Sequence, residues 1–138
     1  MGLSAPALPW AGAPPAVRAT VAGYVLLLAF GTAVHVVQLA IGGLDPHPGL
    51  PAWLVAYFVG LTVADPLAAV LLWLRRRSGV VLAVAVFVTD AAANGWANYA
   101  LDPAGGVTVG RVGQGVITAL AVLLVVRTPR LWQHARQV

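Results

Sequence analysis

Four apolar runs, each close to the length that crosses a bilayer, limit this chain to very few folds. They extend over Arg18–Ile41, Ala52–Leu74, Gly79–Leu101 and Gly110–Val126, and the segments between them are short. A hydrocarbon core of about 30 Å is crossed by roughly 20 residues of helix. The composition agrees: 60% of residues are apolar and only 9% charged, against about 25% charged in an ordinary soluble domain. In lipid every backbone polar group must be satisfied internally, which leaves helices or a closed barrel, and runs of this length read as helices. The expected fold is all-α, a polytopic membrane four-helix bundle. Residues 1–17 are expected to form a flexible N-terminal tail, 18–130 the four-helix domain with spans near 18–41, 52–74, 79–101 and 110–126, and 131–138 a cytoplasmic C-terminal tail.

The arginines orient the bundle. Arg18, the Arg75-Arg76-Arg77 loop, Arg127, Arg130 and Arg136 fall on one side, with Arg111 alone on the other. Positive charge near span ends is retained in the cytoplasm, so both termini are expected there. Trp53, Trp96 and Tyr99 then form an outer aromatic belt, with Trp73 and Trp132 on the inner side. The Arg75–Arg77 run is expected to contact anionic headgroups. The first run is too long for a signal h-region, and Met1-Gly2-Leu3-Ser4-Ala5-Pro6 lacks a myristoylation hydroxyl, so a retained, unlipidated multi-pass chain is expected. All eight basic residues are Arg, all four acidic ones Asp, and Cys is absent. Thiolate chemistry is thereby excluded, and no metal or cofactor site is expected. No basic stripe with interleaved aromatics is present to follow a nucleic-acid backbone. Abundant Ala, Val and Arg without Lys points to a GC-rich genome, hence to a bacterial inner membrane. Leu44-Asp45-Pro46 and Leu101-Asp102-Pro103 form a weak internal repeat, compatible with two duplicated hairpins or with two good helix terminators.

Ionisable side chains inside hydrocarbon cost at least about 2.5 to 3.5 kcal/mol each and mark function by default. Two are carboxylates, Asp65 in the second run and Asp90 in the third, both roughly 15 to 20 Å from the triple-Arg loop. A short loop makes these helices antiparallel neighbours, so the two acids can meet, and in a dry site both cannot ionise without a cation. His35 lies toward the outer leaflet with Gln38 one turn on, and Thr62 shares a face with Asp65 beside the helix-bending Pro66. Asp90, Asn94 and Asn98 recur every four residues as one stripe, and Gln114 and Thr118 do likewise. These stripes concentrate in the outer half, whereas the inner halves are Ala, Val and Leu. A dead-end pocket is therefore expected more than a channel. Ligand contacts are expected from His35, Gln38, Tyr57, Thr62, Asp65, Asp90, Asn94, Trp96 and Asn98, with Tyr24, Phe30, Phe58 and Phe87 as further aromatic wall. The plainer alternative makes Asn94, Asn98, Gln114 and Thr118 interhelical packing glue and His35 a packing histidine, with Gly23, Gly31, Gly60 and Gly95 at close-packing positions.

Several fragments resemble the EXPERA group of membrane proteins, which contains the sigma-two receptor and the emopamil-binding sterol isomerase. Phe30 and His35 followed by Asp45-Pro46 are similar to that group's first helix and loop. Leu50-Pro51-Ala52-Trp53 looks like its Pro-Ala-Trp start of the second helix, and Arg127-Thr128-Pro129 like its Arg-Ser-Pro exit. The group's Ser-His-Ile-Pro is replaced by Val34-His35-Val36-Val37, and its second-helix acid falls at Leu61, one turn before Asp65. The resemblance implies a lipid-accessible pocket for a sterol-like molecule or hydrophobic amine. With the intramembrane acids, it leads to a binding protein for a small hydrophobic or cationic ligand. If the chain is an enzyme, Asp65 and Asp90 are the catalytic pair for a proton shift. A proton-coupled small-molecule exporter, as a homodimer, and a membrane partner or assembly subunit remain as alternatives. Membrane lipid surrounds the bundle in all three.

Overall fold

A computed structural model describes residues 9–43 and 45–136. It is helical along its length: α1 Pro15–Gly42, α2 Ala52–Trp73, α3 Arg77–Trp96 continued by one π-helical turn at Ala97–Leu101, and α4 Val109–His134. Local chemistry explains each end. Pro15 occupies the first turn of α1, where its missing N–H costs nothing, and Gly43, with φ of 61°, closes the helix by donating its N–H to the Leu39 carbonyl at 2.8 Å. The Thr108 hydroxyl caps α4 by accepting from the Arg111 N–H at 3.2 Å. The fourth helix is longer than its apolar run. Arg127 ends the run but not the helix, which continues through Pro129 to His134 at the bundle end, with the Thr128 hydroxyl bonded to the Leu124 carbonyl at 2.9 Å.

Consecutive helices pack side by side, α1 on α2, α2 on α3 and α3 on α4, while α1 and α4 meet only narrowly. The core takes Leu28, Leu72, Val80, Ala83 and Leu124 from all four helices and extends along α2 to Leu54 near its other end. Outward faces are the reverse of a soluble protein's: Leu26, Ile41, Val63 and Val109 are exposed around the bundle, and Ile41 keeps 84% of its surface accessible. Such a continuous apolar girdle, on four helices each able to span a bilayer, is that of a multi-pass integral membrane protein. Trp53, Trp73, Trp96, Tyr99 and Trp132 all lie on this exposed surface.

Both ends of the described chain converge on the α2–α3 turn. Trp10 is 5% exposed and donates its indole N–H to the Leu72 and Trp73 carbonyls at 3.0 and 3.2 Å. Arg75 donates from Nε to the His134 carbonyl and from Nη1 to the Pro9 carbonyl, and its guanidinium lies over Trp10. Arg136 gives its N–H to the Arg75 carbonyl at 2.7 Å, and Arg77 gives its own to the Arg136 carbonyl at 3.2 Å. The Arg77 guanidinium covers the Trp132 ring. Arg75 and Arg77 therefore join the Trp10 segment and the end of α4 to the turn, because both come within their reach.

Candidate functional site

In the half away from this clasp, the narrow α1–α4 contact opens into a cavity of about 600 Å³. Its floor is set by the Tyr24 hydroxyl, which donates to the Leu120 carbonyl at 2.6 Å and ties α1 to α4, with the Phe87 ring edge-on to Tyr24. Phe87 and Leu120 are also part of the cavity wall. The mouth lies between α1 and α4, where the lining residues Phe30 and Val116 are 69% and 56% exposed on the lipid-facing girdle.

Five of the nine expected ligand contacts line this one chamber, His35, Gln38, Asp65, Asp90 and Asn94, together with Phe30, Phe58 and Phe87 of the expected aromatic wall. Asp65, from the middle of α2, is 4% exposed. Its Oδ2 lies 3.9 Å from His35 Nε2, and among the described residues its Oδ1 has no hydrogen-bond partner. His35 Nδ1 lies 3.1 Å from Gln38 Oε1. An amide oxygen only accepts, so Nδ1 is the donor in this bond and Nε2 is the ring nitrogen that faces Asp65. Gln38, His35 and Asp65 thus stand in a line, joined by a hydrogen bond at the outer step and separated by 3.9 Å at the inner one. Asp90 is held differently. Its Oδ1 accepts from Asn94 Nδ2 at 2.8 Å, and the same nitrogen also reaches the Asp90 carbonyl at 3.1 Å. The two acids share the chamber, Asp90 hydrogen-bonded to Asn94 and Asp65 with His35 3.9 Å away.

Tyr57, Thr62, Trp96 and Asn98 do not line it. Tyr57 shares a hydrogen bond with Thr89 at 2.8 Å, joining α2 to α3, and Trp96 faces outward with the aromatic belt. Asn98 donates to the Asn94 carbonyl at 2.8 Å and packs where α4 presents Gly110. Its carbonyl accepts from Arg111, whose guanidinium also holds the Gly106 and Ala104 carbonyls and so braces the α3–α4 loop. Thr62 keeps a buried hydroxyl with no partner among the described residues. Gln114 donates to the Ala91 carbonyl at 2.7 Å and to Thr118 at 3.1 Å, stitching α4 to α3.

The chamber also recruits residues that pattern alone did not assign to it. Gly31 lies one turn below His35, and a Cβ there would stand 2.5 Å from Asp65 Oδ2, so the missing side chain makes room for the carboxyl. Its spacing of four from His35 was the available signal. His47, from the α1–α2 loop, lines the outer wall with its ring 5.2 Å from that of Phe58. No protein-family model, curated protein or solved structure was found to match this chain.

Proposed function

We propose that this membrane protein binds a small hydrophobic molecule carrying a cationic amine, taken from the bilayer between α1 and α4 and anchored by Asp65. The observation that carries this reading is a nearly buried carboxyl, with one oxygen lacking a partner among the described residues, on the wall of a largely apolar cavity. A buried acid in that state is stabilised by a proton or a cation, and an ammonium on an apolar body supplies the charge while its carbon skeleton fills the aromatic wall. Phe30, Phe58 and Phe87 suit that body, adding cation–π attraction near the nitrogen. A cavity of about 600 Å³ suits a drug-sized or sterol-sized molecule.

The Arg-rich end is read as cytoplasmic by the positive-inside rule, which turns the chamber toward the outer leaflet. The packed inner half favours binding over passage. A sterol-like ligand accords with the EXPERA resemblance, which rests on the short fragments quoted above. Were the bound molecule an alkene, Asp65 and Asp90 would be its acid and base.

Equilibrium binding of a hydrophobic tertiary amine and of its uncharged carbon isostere to protein in nanodiscs tests the reading. Asp65→Asn is expected to weaken the amine about tenfold to a hundredfold, the value of a buried charged hydrogen bond, and to leave the isostere within about twofold. Equal losses for both compounds, or none for either, would remove Asp65 as the anchor.

A further inference from the structure

Every arginine except Arg111 sits at the end where the termini meet the α2–α3 turn, and none of the four aspartates does. The clasp occupies Arg75 and Arg77. Arg127 and Arg130 are placed otherwise: both border a narrow groove between α4 and α1, walled by Ala16, Val17, Thr20 and Leu131. Among the described residues neither guanidinium donates a hydrogen bond, and neither meets a carboxylate within 4.0 Å. The Thr20 hydroxyl is committed to the Ala16 carbonyl at 2.8 Å, so the polar donors of this groove are the two guanidinium groups. About one turn further toward the membrane centre stand Gly23 on α1, where a Cβ would meet nothing within 4 Å, and the half-exposed Leu123 on α4. Charge thus stands at the interfacial end of α1 and α4, which pack against each other less than the sequential pairs α1–α2, α2–α3 and α3–α4 do.

We propose that this groove is an anionic phospholipid site, with the phosphodiester between Arg127 and Arg130 and an acyl chain alongside Gly23 and Leu123. Guanidinium forks match phosphate oxygens bidentately, and headgroup phosphates stand at the depth where a spanning helix ends. The bound lipid bridges α1 and α4 below the Tyr24–Leu120 tie and steadies the two helices that frame the chamber mouth. The inference is independent of what the chamber binds.

Native mass spectrometry of the full chain, released from nanodiscs of equal phosphatidylglycerol and phosphatidylcholine, tests it. The wild-type chain is expected to retain phosphatidylglycerol over phosphatidylcholine by about tenfold or more, each Arg contributing about fivefold. Arg127→Gln with Arg130→Gln is expected to bring the ratio near one. Arg76→Gln with Arg136→Gln, which removes the same charge from the same end, is expected to keep the preference. Absence of a preference in the wild-type chain overturns the site without recourse to any variant. So does a preference that survives loss of Arg127 and Arg130, or one lost equally in the Arg76 and Arg136 variant. Excess inorganic phosphate is expected to leave the lipid adduct in place. Displacement by it would mean that the groove takes free phosphate and not lipid.

Discussion

A hydrogen atom at position 31 decides where the Asp65 carboxyl can stand. Gly31→Ala places a methyl group on top of Oδ2, and the acid must swing away from His35 because it is the movable partner. Overpacking of this kind costs about 1 to 3 kcal/mol. Amine affinity is expected to fall about tenfold while helical content measured by circular dichroism stays unchanged. Tyr24→Phe is the complementary small change. It deletes the one hydroxyl that joins α1 to the α4 backbone and leaves the Leu120 carbonyl without that donor. Unfolding in mixed micelles should report a loss of about 1 kcal/mol.

Among the elements, the α2–α3 turn combines two features that pull in opposite directions. Arg75 has φ of 63°, and the N–H groups of Arg75 and Arg76 bond back to the Leu72 and Leu71 carbonyls at 3.0 Å each, a Schellman motif with arginine where glycine is usual. A left-handed non-glycine residue costs roughly 1 to 2 kcal/mol, offset here by the contacts of its side chain with His134, Pro9 and Trp10. Immediately after, Gly79 lets α3 approach the α2 backbone at Leu71 and Leu72 so closely that a Cβ cannot fit without moving main chain. Gly79→Ala is expected to destabilise the bundle by about 1 to 3 kcal/mol in the same unfolding assay. Gly31→Ala, which meets only a side chain, should fall near the lower end of that range and Gly79→Ala near the upper. At this scale the sequence was informative in a particular way. Apolar run length located all four helices, since the bilayer fixes that length, and short loops implied the α2–α3 pairing. Run length ended α4 at Val126, because hydropathy registers lipid contact and the helix extends past it. The chamber was legible through its costliest residues, Asp65 and Asp90, and through the four-residue step from Asp90 to Asn94. Tyr57, Trp96 and Asn98 stand on the same helices at other angles, which depth along the axis does not reveal.

For the molecule as a whole, the plan is a bundle closed at one end and parted at the other. Trp10 and the α4 extension are held across the closed end by carbonyl hydrogen bonds and by stacking on arginine. Which arginines turn inward depends on where the chain ends dock, information that no local motif carries. Trp10→Phe, which keeps an aromatic ring but loses the N–H and part of the buried volume, is expected to cost about 1 to 3 kcal/mol, and Trp10→Ala about 3 to 5 kcal/mol, both read by thermal unfolding. In the proposed reading the open end places acids beneath a mouth that faces hydrocarbon, and this can be probed by chemistry that a protonated, lipid-reachable carboxyl undergoes. Membranes containing the protein, treated with the hydrophobic reagent dicyclohexylcarbodiimide and mapped by peptide mass spectrometry, should show modification at Asp65 or Asp90, suppressed by a bound hydrophobic amine. Labelling confined to the loop residues Asp45 and Asp102, or labelling at Asp65 and Asp90 that the amine does not reduce, would contradict an acid-anchored chamber open to the bilayer.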